Sequence, residues 1–235
     1  MTATYAWRTH RLTGGRFSMG LYLDSADVPA ITRMLATGLF RGVTTNPSVL
    51  AKSGLGQADL PGLLEASRAA GATEFFAQAT GRTVNELRES ASAIAALGDD
   101  VVVKFVCTEP GLTVAAEFAS RGTATLITAV YHPSQMLLAR AAAARYIAPY
   151  LGRADDAGRD SLALVRDCAA IATVGGPRVL AASVRSVDHA AAAMVVGADD
   201  VTVGETVAIA LLCDELTVGA AEEFEKVSAV TATTS

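Results

Sequence analysis

Short apolar runs alternate along the chain with longer segments of helical period, the pattern of repeated βα units. Eight runs have this character: Leu21 to Leu23, Gly42 to Thr44, Glu74 to Ala77, Val101 to Phe105, Ala124 to Ile127, Tyr146 to Ala148, Val179 to Ala182 and Asp200 to Val203. Between them lie segments with helix signals. Ser25 to Thr37 carries Asp27 near its start and stops at Gly38, Thr83 to Leu97 stops at Gly98, and Pro133 to Ala144 opens with a helix-compatible proline. Ser186 to Val196 is alanine-rich and stops at Gly197, and a last helical stretch covers Thr206 to Val227. Eight strands with crossovers between them predict a single (β/α)8 TIM barrel over residues 19–228. A doubly wound nucleotide-binding sheet fits worse. Gly54-Leu55-Gly56 lacks both a third glycine and a preceding strand, and no P-loop pattern occurs. Residues 1–18 read as a disordered extension ahead of Met19, and 229–235 as a flexible tail.

One position breaks the apolar pattern. Lys104 follows Val101, Val102 and Val103 and precedes Phe105 and Val106, in a run that suits a parallel strand covered on both faces. An ammonium in such a wall must be paired or lose its charge, because desolvation pushes a lysine pKa down. Once neutral, the amine is a nucleophile able to condense with a carbonyl to a Schiff base. Composition sharpens the point, since only Lys52, Lys104 and Lys226 among the 19 basic residues are lysine. Arginine, which stays protonated, could not serve as such a nucleophile.

A barrel places its active site at the carboxyl ends of its strands, so polar residues should collect there. The ends of the runs supply Asp24, Thr45 with Asn46, Gln78, Lys104, Thr128, Tyr150 with Arg153, and Ser183 with Arg185. The eighth run ends at Gly204, followed by Glu205. Taken singly, each has an ordinary structural explanation: Asp24 or Ser183 as a helix cap, Asn46-Pro47 as a turn, Tyr150 as core. Seven strand ends converging on polar groups around a strand lysine are harder to explain as caps alone.

The remaining composition narrows the function classes. A length of 235 residues with 51% hydrophobic content supports a large core. Net charge is −5 and the pI is near 5.2. With no basic stripe interleaved with aromatics, no nucleic-acid partner is expected, and a small soluble substrate is. Cys107, Cys168 and Cys213 are isolated, giving neither a disulfide framework nor zinc spacing, which suits a reducing cytoplasm. His10, His132 and His189 show no ligand spacing, so no metal and no cofactor is expected. No apolar stretch approaches the roughly 18 residues of a membrane span, so no membrane partner is expected.

Leu21-Tyr22-Leu23-Asp24, Gly42-Val43-Thr44-Thr45-Asn46-Pro47-Ser48, Ala148-Pro149-Tyr150 with Arg153, and Leu180-Ala181-Ala182-Ser183 resemble the motifs of the transaldolase family, with Lys104 in its proper order among them. The likeness runs from about Met19 to about Lys226. It implies a Schiff-base aldolase of barrel fold that handles a dihydroxyacetone unit, with ketose and aldose phosphates as partners and a homo-oligomeric assembly. Gln78 and Tyr150 are similar to the small fructose-6-phosphate aldolases, which have glutamine and tyrosine where transaldolases have glutamate and phenylalanine. Arg185 is transaldolase-like. Two features depart from the family: Phe105-Val106 follow the lysine where an apolar residue and proline are usual, and the C-terminal helix lacks the tryptophan and longer tail of the aldolases.

By that resemblance Lys104 attacks the ketose carbonyl and Asp24 shuttles a proton during carbon–carbon cleavage. Tyr150, Gln78 and Thr128 hold a catalytic water. Asn46, beside Thr45, and Ser183 bind the dihydroxyacetone hydroxyls, while Arg153 and Arg185 suit a terminal phosphate. Three functions fit these residues: such an aldolase or transaldolase, a phosphate-binding barrel isomerase without a covalent intermediate, and a non-catalytic barrel. The first uses Lys104; the other two leave it idle.

Overall fold

The computed structural model describes residues 19–172 and 176–232. The extension expected at 1–18 lies outside them, as do 173–175 and 233–235. Eight parallel strands close into one barrel in chain order: β1 (Gly20–Asp24), β2 (Gly42–Thr44), β3 (Glu74–Gln78), β4 (Val101–Val106), β5 (Thr125–Val130), β6 (Tyr146–Pro149), β7 (Arg178–Val184) and β8 (Asp200–Val203), which pairs back with β1. The (β/α)8 barrel expected from the alternation is therefore the fold. Around it run α1 (Val28–Leu35), α2 (Pro47–Lys52), α3 (Leu60–Ala69), α4 (Val84–Ala95), α5 (Glu109–Ser120), α6 (Gln135–Ala141), α7 (Leu151–Asp156), α8 (Ser161–Ala172), α9 (Val187–Val195), α10 (Glu205–Leu212) and α11 (Glu215–Ala232).

Local chemistry starts these helices where the chain leaves a strand. Asp27 accepts from Ala30 N at 2.8 Å to cap α1, and Thr83 and Glu86 form a reciprocal capping box on α4. The hydroxyls of Thr108 and Ser186 cap α5 and α9 by accepting from Gly111 N and His189 N. The single helical stretch expected over Thr206 to Val227 is two helices. Cys213 leaves helical geometry, and Asp214 accepts from Thr217 N at 3.0 Å to start α11 afresh. No described helix is long and apolar enough to cross a membrane.

Alternation along each strand divides the core in two. Val43, Phe75, Val103, Phe105, Ile127, Ile147 and Val201 point outward and pack under the helices. Tyr22, Phe76, Val102, Leu126, Tyr146, Ala148, Leu180 and Ala182 fill the barrel interior. That parity puts Lys104 inside, one layer above Val102.

The amino ends of the strands form a closed floor. Glu74, 6% exposed, accepts from Tyr22 OH at 2.5 Å and from Tyr146 OH at 2.9 Å. Arg41 Nε lies 2.9 Å and an Arg145 guanidinium nitrogen 3.1 Å from the same carboxylate. Phe76 sits edge-on to both tyrosine rings, at 5.1 and 5.2 Å. Beside them Asp200, fully buried, accepts from Gly20 N at 2.7 Å and takes both arms of Arg178. Gly42 is required here, since a Cβ would run into the Glu74 carbonyl.

Candidate active site

At the opposite, carboxyl end the strands open into a cavity of about 600 Å³. Of the ten residues expected to form the site, eight line it: Asp24, Asn46, Lys104, Thr128, Tyr150, Arg153, Ser183 and Arg185. Thr45 and Gln78 do not. Thr45 is fully buried, with its hydroxyl bonded to Phe76 O, and it reaches the site through its carbonyl. Gln78 is the register neighbour of Lys104, and its carbonyl accepts from Gln57 Nε2 at 3.1 Å.

Lys104 is 5% exposed, among apolar cavity walls supplied by Leu126, Ala148 and Leu180. Its Nζ donates to Thr45 O at 2.6 Å, and no carboxylate among the described residues lies within ion-pairing distance. Burial pushes its pKa down to about 8, against a smaller upward pull from the Asp24 charge. Such an amine is neutral in a useful fraction of molecules near pH 7.

Asp24 is held by a threonine relay. Thr44 Oγ1 donates to Asp24 Oδ1 at 2.8 Å and lies 2.7 Å from Thr202 Oγ1. A hydroxyl has one hydrogen, so Thr202 must be the donor to Thr44. Neither threonine carries a local signal in the sequence: Thr44 ends its run but is followed at once by the more conspicuous Thr45-Asn46, and Thr202 lies inside its run. Their common inward parity shows in the barrel register, where Tyr22 lies opposite Thr202 and Asp24 opposite Thr44. On the far wall Thr128 Oγ1 donates to Tyr150 OH at 2.9 Å. The phenol hydrogen is thereby left for another acceptor. Burial raises the Tyr150 pKa, partly offset by the Thr128 bond, so the phenol stays protonated.

Asn46 combines two tasks. Its Oδ1 caps α2 by accepting from Ser48 N at 2.9 Å and Val49 N at 3.1 Å, which leaves the amide N–H groups for the cavity. Ser183 sits in a register shift between Ala181 and Val184 with φ +58, a strained setting for a residue with a side chain. Arg153, on α7, stacks over the Tyr150 ring at 5.1 Å. Arg185 is paired through both terminal nitrogens with Asp156. The described residues hold no group of three His, Cys, Asp or Glu side chains placed to bind a metal.

Compared with known proteins, residues 21–235 match the family Transaldolase/Fructose-6-phosphate aldolase. The chain belongs to this family. Relatives named Probable transaldolase include one from Caulobacter sp. (strain K31), 39% identical over 218 residues, covering 88% of this chain and 95% of its own. Another, from Phenylobacterium zucineum, is 35% identical, with 88% and 94% covered. A third, from Streptococcus agalactiae, is 32% identical, with 88% and 96% covered. The barrel is also similar to a thiamine phosphate pyrophosphorylase from Pyrococcus furiosus, with a TM-score of 0.57 and 19% identity over 81% of this chain and 87% of that one. That likeness concerns architecture alone. Membership of the transaldolase family makes the chain an enzyme of the aldolase or transaldolase type.

Proposed function

We propose that the enzyme is a Schiff-base aldolase acting on a dihydroxyacetone unit, cleaving fructose 6-phosphate to dihydroxyacetone and glyceraldehyde 3-phosphate or running the reverse. The observation that carries this is Lys104: buried in an apolar stretch of the cavity, unpaired by any described carboxylate and with its pKa lowered to about 8. The neutral amine adds to the ketose carbonyl, and loss of water gives an iminium. Asp24, held by Thr44, takes the proton of the C4 hydroxyl as the C3–C4 bond breaks and its electron pair moves into the iminium, leaving an enamine. The aldehyde departs. Tyr150, with Thr128, handles the water lost in dehydration and returned in hydrolysis. Asn46 and Ser183 hold the dihydroxyacetone hydroxyls, next to Thr45, and Arg153 and Arg185 meet the phosphate.

Transfer of the unit to a second aldehyde, the transaldolase reaction, is the alternative fate of the enamine, and the names of the relatives favour it. Tyr150 favours release, because a phenol can give a proton to the enamine and its oxygen can then take one from the water that attacks the resulting iminium. A homo-oligomer is proposed from the family likeness alone. Borohydride with fructose 6-phosphate or dihydroxyacetone should add one covalent adduct, mapped by peptide mass to Lys104 and absent from Lys104→Arg. An adduct on Lys52 or Lys226 sinks the assignment. Product assays with and without an added aldose phosphate then separate release from transfer.

A further inference from the structure

Arg185 does not stand free at the cavity rim. It follows the register shift at Ser183, and its side chain crosses to α7, where it meets the face formed by Gly152 and Asp156, four residues apart and so on one side of the helix. A Cβ at position 152 would collide with Arg185 Nε and come within 2.7 Å of Ser183 O. At the other end of the face the Asp156 carboxylate takes one hydrogen from each terminal nitrogen of Arg185, with the Nη1 bond at 2.6 Å. This fork raises the Arg185 pKa and lowers that of Asp156. It also leaves three of the five guanidinium N–H donors unspent. Arg153 leaves α7 between these two anchor points and rests on Tyr150, with no carboxylate partner among the described residues.

We propose that the Gly152–Asp156 face of α7 is a seat for Arg185, and that Asp156 is a positioning residue which sets Arg185 beside Arg153 as a two-guanidinium clamp for the substrate's terminal phosphate. This rests on the phosphate-binding reading of the two arginines above. The Arg185 side chain is 55% exposed, and without its seat it would spread over many rotamers, so a phosphate would have to order it on arrival. Seated, it meets the phosphate already ordered. Arg153 supplies the uncompensated charge and Arg185 the oriented donors. Glycine at 152 is the steric condition for the seat and Asp156 its polar anchor, which makes two independent handles.

The test compares the full-length enzyme with four variants, Asp156→Asn, Asp156→Glu, Gly152→Ala and Arg185→Ala, in the synthesis direction. Each condenses dihydroxyacetone with glyceraldehyde 3-phosphate or with glyceraldehyde, and the readout is the ratio of the two kcat/KM values. Asp156→Asn and Gly152→Ala should lower that ratio about 10-fold, the scale of one charge-assisted contact, through the KM for the phosphorylated aldehyde and not through kcat. Asp156→Glu should recover most of it. If Arg185→Ala lowers the ratio and Asp156→Asn does not, the seat is refuted while the phosphate reading stands. A ratio that rises in Asp156→Asn means that the carboxylate competes with phosphate, and an equal loss with both aldehydes makes it merely structural; either overturns the proposal. If Arg185→Ala leaves the ratio unchanged, the phosphate reading of Arg185 falls as well.

Discussion

The two ends of the barrel interior handle buried charge in opposite ways. At the floor Glu74 is met by two tyrosine hydroxyls and two arginines, and Asp200 by a forked arginine and a backbone N–H. Every charge there is matched, as a low-dielectric site demands. At the mouth Lys104 has one backbone carbonyl and no carboxylate within ion-pairing distance. The floor spends polar groups on holding strands together, whereas the mouth leaves an amine under-solvated. Only the second arrangement makes a nucleophile.

Replacing Lys104 by methionine should have the largest effect, and in two directions. Activity and borohydride trapping should vanish. Stability should rise, because the lysine pKa is depressed from 10.5 to about 8 and the unfolded chain therefore holds the proton more tightly. That penalty applies in full below about pH 8, shrinks as pH rises towards 10.5 and is gone above it. It amounts to about 3 kcal/mol at neutral pH as an upper bound. Denaturant melts of Lys104→Met at pH 7 that showed a loss of stability would mean that the mouth lysine is structural, like the charges of the floor.

The floor should respond in the reverse sense. Glu74→Ala strands two buried phenols and removes the partner of Arg41 and Arg145, and should lower stability by roughly 3–5 kcal/mol while leaving kcat of the remaining folded enzyme nearly unchanged. A large fall in kcat with unaltered melting would erase the distinction between the two ends. Next in size, Tyr150→Phe should slow cleavage to free dihydroxyacetone by about 10²-fold, the scale of losing an acid–base group, with transfer to an added aldose phosphate falling much less. Equal losses in both would place the phenol before the shared enamine. The smallest effect is one of pH. On the proposed mechanism, in which the neutral amine attacks, the initial rate of adduct formation should climb about tenfold per unit below about pH 8 and level off above it. A rate flat down to pH 6 would show that the amine is neutral well below that value.

Much of this was legible in the sequence, for identifiable reasons. Strands buried on both faces are continuous apolar runs, so all eight stood out, and the odd residue within one of them, Lys104, lies at the cavity. β5 runs past the Ala124 to Ile127 that the sequence predicts, because Ala129 with φ +56 sits in a bulge that carries the strand on to Val130. The break at Cys213 was hidden by helix formers on both sides. Groups that act through a partner on another element left no local signal. Thr202 looks like any strand threonine until Thr44 is seen opposite, and Glu74 looks like a strand start until Tyr22 and Tyr146 reach it across the barrel. Asp156 reads as an ordinary helix-end carboxylate, since nothing nearby in sequence points to Arg185.

The bond from Gly20 N to the Asp200 carboxylate joins residues 180 positions apart, at the seam where β1 meets β8. Until that seam forms, the sheet is an open ribbon with two unpaired edges, and each edge is a template for another chain. Closing it requires the two ends of that 180-residue stretch to meet, a slow step set by topology more than by local preference. A lesion at Asp200 or Arg178 would thus be felt first during assembly, as clumping of half-closed barrels.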